Sequence, residues 1–460
     1  MNPMIETTKS AAIHLPKSFG VFDLVSIFVG IIIGSAIYQT PSTIAGILGS
    51  PVWIMVVWML GGLLSFLGAL VYAELASTYP REGGDYFFLH HAYGPWAGFL
   101  YAWGRMVVIH TGNIASMAYI AGNYGTGLAA FPHSQTVYAL AAVILLTGIN
   151  CLGIRQGKWT QNLLTSTKVI GLVGVIAVAL FVRAAPAEAI EPVASEGGIT
   201  FGGLFMALIF VQFTFGGWSD CAFVASEVKN PERNILRSLL LGMALVTAIY
   251  LLVNVALMLA LGVSGMAASH SVMADVLNLG FGRTGAGLLS ALVILSALGS
   301  VNGMILTGAR IFHAFGTDHT LFRFLGHWDQ KKGAPLVAFL VQGIISAVMV
   351  LLGSFESLII YTTAAHWIFL SGVGASLFVF RYREPGVTRP YRVHLYPFIP
   401  ILYIASCLML VYSSLTYANT VAPYGALIGF LLVLSGLPFY WLSNFYQESK
   451  HGPQNRQINN

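Results

Sequence analysis

Residues 19–41 read FGVFDLVSIFVGIIIGSAIYQTP, an apolar segment long enough to cross a bilayer that is interrupted near its middle by Gly34-Ser35-Ala36. A second apolar segment, residues 201–228, carries a similar interruption at Gly216-Gly217-Trp218. Small residues alone often mean close helix packing. Two interruptions at corresponding places instead point to discontinuous helices that meet near the membrane midplane and hold a small solute. Unwinding frees the carbonyls of the first half-helix and the N–H groups of the second, and these suit an ammonium and a carboxylate respectively.

The rest of the chain sets the solvent. Its 460 residues are 57% hydrophobic and only 8% charged, and mean hydropathy is +0.77. Apolar stretches of about 20 residues recur from end to end, as spanning helices require. The expected spans are 19–43, 52–77, 93–123, 135–152, 160–182, 201–228, 237–262, 286–315, 334–353, 356–380, 396–418 and 422–443. Alternation over ten-residue strands, the barrel signature, is missing. Lys and Arg gather on one side of this plan, in the amino-terminal tail and around 81, 155–158, 229–237, 323–332 and 381–392, whereas the other side holds Arg183 and Arg283. The positive-inside rule therefore places both termini in the cytoplasm of a multi-pass protein of the cell inner (plasma) membrane. No cleavable signal peptide is expected. The net charge of +5 is spread over short loops and is no nucleic-acid footprint.

The fold expected is all-α and polytopic, with twelve transmembrane helices in a 5+5 inverted repeat of the LeuT-like kind, discontinuous helices 1 and 6, and two additional helices. The divisions are a cytoplasmic tail 1–18, repeats at 19–182 and 201–380, two further helices within 396–443 and a cytoplasmic tail 444–460. Nothing here suggests an enzyme. HExxH, paired CxxC and GxSxG are absent, the histidines lack metal spacing, and neither cofactor nor metal is expected. The cysteines, Cys151, Cys221 and Cys407, specify no disulfide scaffold.

Five separated stretches resemble the amino acid/polyamine/organocation superfamily, in particular bacterial homologues of the L-type amino acid transporters: GIIIGSAIY at 30–38, YAELASTYPREGGDYFFLHHAYGP at 72–95, FTFGGWSDCAFVASEVKNPERNILRSL at 213–239, GSVNGMILTGARIFHAFG at 299–316 and FRYREPGVTRPYRV at 380–393. The resemblance implies a substrate carboxylate at the N–H groups of Ser35, Ala36 and Ile37, beside Gly34. It implies an amino group at carbonyls near Ile31, Ile32 and Phe213, and an outer aromatic gate at Phe213. Ala36 stands where the family usually has glycine. Lys168 occupies the place where sodium-coupled relatives hold a cation, so sodium-independent transport is implied.

Other candidates come from position. Gly216, Trp218 and Ser219 adjoin the second break, with Trp218 read as a brace. Asn113 on span three and Asn302 on span eight are pocket candidates. Asp220 admits three readings: selecting a cationic side chain, accepting a proton, or sitting in the outer vestibule near a half-helix N-terminus. Glu74, Arg81, Tyr86 and Glu227 read as one inner gating network.

The function expected is alternating-access transport of neutral, small to medium L-amino acids, by exchange. Proton symport, transport of cationic amino acids or polyamines, and an amino acid sensor are the other readings. The partners expected are the amino acid and the lipid bilayer. Animal L-type relatives bridge to a glycoprotein through a cysteine after span three. Residues 124–134 contain none, so no disulfide-linked heavy-chain partner is expected, and the chain should work as a monomer or weak dimer.

Overall fold

In the computed structural model, residues 17–182, 200–352, 355–421 and 424–451 are described. Among them the regular structure is helical, with two isolated β-bridges and no strand. The α-helices are α1 (Val21–Ile32), α2 (Thr40–Leu48), α3 (Pro51–Thr78), α4 (Asp85–Tyr93), α5 (Pro95–Gly104), α6 (His110–Leu128), α7 (Ser134–Leu152), α8 (Ile154–Val182), α9 (Phe201–Thr214), α10 (Pro231–Ala268), α11 (Val272–Phe281), α12 (Gly285–Asp318), α13 (Leu336–Leu352), α14 (Phe355–Arg383), α15 (Phe398–Val421), α16 (Gly425–Leu434) and α17 (Gly436–His451). Nine helical stretches among the described residues have the length and apolarity to cross a membrane.

Both expected interruptions are present. α1 stops at Ile32 and resumes as a 3-10 turn at Ala36–Tyr38. α9 stops at Thr214 and continues after Gly217 as a 3-10 segment, Trp218–Glu227. Gly217 has φ +97°, and a Cβ there would lie 2.6 Å from Ile31 Cγ2, so only glycine fits both the backbone and the contact. That contact also shows that the two breaks touch.

Three features depart from the expected spans. The third is not one uniform α-helix, because Arg105–Ile109 forms a π segment between α5 and α6. The short helices α4 and α11 lie where connections were expected. The seventh span runs on to Ala268 through a kink at Gly262, φ +71°.

The interior is built around α1, which packs on α8, α10, α12 and the 218–227 segment. Its start is fixed by Asp23, whose carboxylate accepts from the Gly20 N–H (2.9 Å), Lys158 (3.2 Å) and Asn162 (2.9 Å). Large apolar side chains such as Phe181, Ile170 and Leu352 lie exposed, a surface suited to lipid. The interior is mostly apolar and also holds charged side chains such as Lys168, Glu227 and Arg310, which a lipid-facing exterior could not carry.

Candidate functional site

The carbonyls at the end of α1 are orphaned by the break, and side chains from three other helices meet them. Lys168 of α8 is completely buried, and its ammonium donates to the carbonyls of Gly30 (2.7 Å), Ile33 (2.8 Å) and Ser296 (2.8 Å). Ser296 and Ser300 of α12 donate to Ile33 (3.0 Å) and Gly30 (3.1 Å). The Tyr250 hydroxyl of α10 lies 3.1 Å from the Ile32 carbonyl and 3.2 Å from that of Thr214. One phenol thus ties the last carbonyl of α1 to the last of α9. Gly299 makes room for the lysine, since a Cβ there would sit 2.9 Å from Nζ.

Beyond the break the polarity reverses. Among the described residues, the N–H groups of Ser35, Ala36 and Ile37 have no backbone acceptor. They are three adjacent donors at the start of a turn, where an anion is favoured. Ser35 and Ala36 are only half-buried. Of the carbonyls facing them across the break, that of Ile31 is the least engaged, with one long contact to Ser300 (3.4 Å). The Phe213 carbonyl accepts from Gly216 N–H at 3.1 Å. A zwitterion therefore has donors at 35–37 and an under-used acceptor at Ile31. Ala36 lies in ordinary right-handed 3-10 backbone, so its replacement of the usual glycine changes the methyl group and not the chain path.

Around this point, Ser35 Oγ contacts Met117 Sδ at 3.9 Å, which sets one face of α6 against the break. Asn113, one turn earlier and half-buried, shares that face. Ser219 is buried with no partner for its hydroxyl among the described residues. Trp218 packs edge-on against Tyr72 (4.9 Å) and near Tyr403 (5.8 Å), the contacts of a brace. Phe213 is 42% exposed and does not close over the break. Phe215 is the packed ring, 5.0 Å from Tyr250 and 6.2 Å from Trp58.

Several expected placements change. Asn302 turns away from the break, and its amide is spent between α7 and α8 on Asn150 (2.8 Å), Gly157 (3.2 Å) and Gln161 (2.9 Å). Asp220 is not a lone carboxylate, because Arg105 donates to it at 2.9 Å with both side chains buried. The single inner network resolves into separate pairs. Glu74 binds Arg381 (2.6 Å) and the Val393 N–H (2.6 Å), Tyr86 donates to Asp318 (2.7 Å), and Glu227 binds Arg310 (2.8 Å) in complete burial. Arg81 is exposed and lies over the Phe87 ring at 6.0 Å. At this basic end, Phe19 pairs with Val228, and Ser18 and Phe19 donate to the Glu227 carbonyl at 2.9 and 3.1 Å. The chain entering α1 is tied there to the end of the 218–227 segment.

Sequence reading missed Tyr250, a phenol inside an apolar span whose hydroxyl needs a partner. Ser296 and Ser300, read from sequence only as part of a small-residue packing surface on span eight, are donors.

Two broken helices meet inside a polytopic helical bundle, and the first of them carries both the free donors at 35–37 and the under-used Ile31 acceptor, an arrangement of the class of membrane proteins built on discontinuous helices. Comparison with known proteins gives the particular family. Residues 19–439 match the amino acid permease family, and the chain belongs to it. It is 30% identical over 453 residues to the human large neutral amino acids transporter small subunit 2, covering 95% of this chain and 82% of that protein. It is 26% identical to the human b(0,+)-type amino acid transporter 1 (96% and 91% covered) and 28% identical to the mouse Asc-type amino acid transporter 1 (95% and 83% covered).

Proposed function

We propose that this chain moves neutral L-amino acids of small to medium size across a membrane by alternating access, without sodium, exchanging one amino acid for another. The observation that carries the reading is the pairing at the breaks: three unpartnered N–H groups at 35–37 for the carboxylate, and the Ile31 carbonyl for the ammonium. The relatives' names, each an amino acid transporter, agree with it. Lys168 supports the sodium-free form. Its ammonium already bridges α1 and α12 at the carbonyls a cation would need. A neutral side chain is favoured because Arg105 neutralises Asp220, leaving the pocket end without a free negative charge.

On this reading the twelve spans form the 5+5 inverted repeat, 19–182 and 201–380, followed by two helices within 396–443. The basic side faces the cytoplasm of the inner membrane, with both termini there. The tied basic end and the exposed Phe213 then correspond to a form closed inside and open outside, with Phe213 as the outer gate. One relative is named a small subunit. This chain has no cysteine within 124–134, so we infer that it works without a disulfide-linked partner, as a monomer or weak dimer.

Counterflow in proteoliposomes tests the proposal. Labelled neutral amino acid should enter vesicles preloaded with unlabelled amino acid and barely enter empty ones. Equal uptake into both would remove exchange, and no uptake into either would remove transport.

A further inference from the structure

The loop between α3 and α4 ends at Gly84, and Asp85, the first residue of α4, is a completely buried carboxylate. Its Oδ2 accepts from the Tyr101 hydroxyl at 2.9 Å, while Oδ1 has no partner among the described residues. The Tyr101 oxygen accepts from Arg105 Nε at 2.9 Å, and Arg105 Nη2 donates to Asp220 Oδ1 at 2.9 Å. The rings of Tyr101 and Phe223 flank the guanidinium. The group therefore contains two carboxylates and one permanent cation.

His110 adds no charge. Its Nε2 faces the Met304 carbonyl at 2.8 Å, which can only accept, so that nitrogen carries the hydrogen. Its Nδ1 faces Arg105 Nη1 at 3.2 Å, which can only donate, so that nitrogen is bare. The buried Tyr72 hydroxyl lies beside Asp85, close enough for the two side chains to share a hydrogen bond. Tyr403 lies beside Tyr72 with Cys407 behind it, and His366 faces Arg105 and His110. With both carboxylates ionised, this sealed cluster holds one uncompensated negative charge, which is costly away from water. A proton on Asp85 Oδ1 removes the excess, and Tyr72, a donor and an acceptor, can pair with the carboxyl in either state.

The cluster is fastened to the second broken helix. Gly83 N–H donates to the Phe223 carbonyl at 3.3 Å, and a Cβ on Gly84 would come within 2.8 Å of the Ala222 carbonyl. The loop at 83–85 thus sits on the backbone of the 218–227 segment, and Arg105 grips the same segment through Asp220. A π segment starts at Arg105, a distortion found often at functional positions.

We propose that Asp85 is a proton-binding site of the transport cycle, taking up one proton as the basic end closes and releasing it to water as that end opens. The proposal rests on the alternating-access reading above. An O–H bond forms at Oδ1 with a proton from water and breaks on opening, and no electrons move. Burial above all pushes the Asp85 carboxyl up to about 7, with Arg105 pulling it down and Asp220 adding to the rise. A hydrated aspartate titrates near about 4, so the closed form binds the proton more tightly. Rising pH through about 7 therefore favours opening of the basic end.

Infrared titration of the carboxyl C=O stretch on the purified full chain, from about pH 5 to 9, reads this proton without any need for transport. One buried protonated-carboxyl band should vanish with a midpoint near neutrality and be missing in Asp85→Asn. In Tyr101→Phe the midpoint should move upward, because that variant removes the hydroxyl that donates to the carboxylate. A band that persists in Asp85→Asn, an unshifted midpoint in Tyr101→Phe, or no titrating band in this range overturns the assignment. In counterflow, exchange by the unmodified chain should change several-fold across the same range and Asp85→Asn should give a flat profile; equal pH profiles for the two would contradict a role in the cycle. Counterflow lost in every protein with the band intact would strike the transport reading, whereas robust counterflow without the band would strike Asp85 alone.

Discussion

The two breaks look alike as sequence, small residues inside greasy runs, yet they are held in different ways. The first is fixed by polar side chains. Lys168, Ser296, Ser300 and Tyr250 engage the carbonyls of Gly30, Ile32 and Ile33. The second is packed among rings, with Trp58, Phe215 and Tyr250 on one side and Tyr72, Trp218 and Tyr403 on the other, and its directional bonds are fewer: Tyr250 to the Thr214 carbonyl and Arg105 to Asp220. Directional bonds fix one register, whereas ring contacts tolerate sliding. On the proposed reading, the first break is the more tightly bonded half of the site.

Removing the first break's anchor should have the largest effect. Lys168→Ala takes the ammonium away from three buried carbonyls and leaves them only their serine donors, a loss of about 1–3 kcal/mol. Exchange should fall by about 100-fold or more, as counterflow reads directly. A fall of less than about threefold would mean that the first break is held by its serines and Tyr250 alone.

Next comes the second break's fastening. Arg105→Gln leaves Asp220 buried without its cation, so thermal stability should drop by about 3–5 kcal/mol. Neutral amino acid exchange should weaken while lysine or arginine uptake appears. Unchanged selectivity would show that Asp220 does not reach the pocket.

Gly299→Ala pushes a methyl group against Lys168, 2.8 Å from Cε. Overpacking of this kind costs about 1–3 kcal/mol, so an intermediate loss of exchange is expected, with the sodium independence retained. The smallest effect belongs to Ala36→Gly. Because the backbone there is already ordinary 3-10, removing the methyl should alter only the preference among substrates, by about threefold or less, as competition among alanine, leucine and phenylalanine would read.

Much of the first break was legible in the sequence. A lysine in TSTKVIGLVGV and a Gly-Ser pair in GIIIGSAIY are anomalies within apolar runs, and an anomaly in lipid demands a partner. The identity of that partner was less legible. Serines 296 and 300 look like packing residues until the α1 carbonyls are seen opposite them. The second break and the basic end were read less well, because their pairs join residues far apart in the chain. Arg105 with Asp220, Glu227 with Arg310 and Glu74 with Arg381 have no local pattern. α4 and α11 escaped because ten residues or fewer of mixed polarity resemble a connection. Asn302 was misplaced because a polar residue on α12 can face either α1 or α7 and α8, and spacing alone does not choose.

On the proposed reading, the Lys168 ammonium does the work of a cation behind the first break. Counterflow of labelled neutral amino acid into preloaded proteoliposomes, measured in choline and in sodium buffer of equal ionic strength, tests it most directly. Equal rates in the two buffers, with Lys168→Ala inactive in both, are the predicted result. A rate that requires sodium in the unmodified chain would contradict the account.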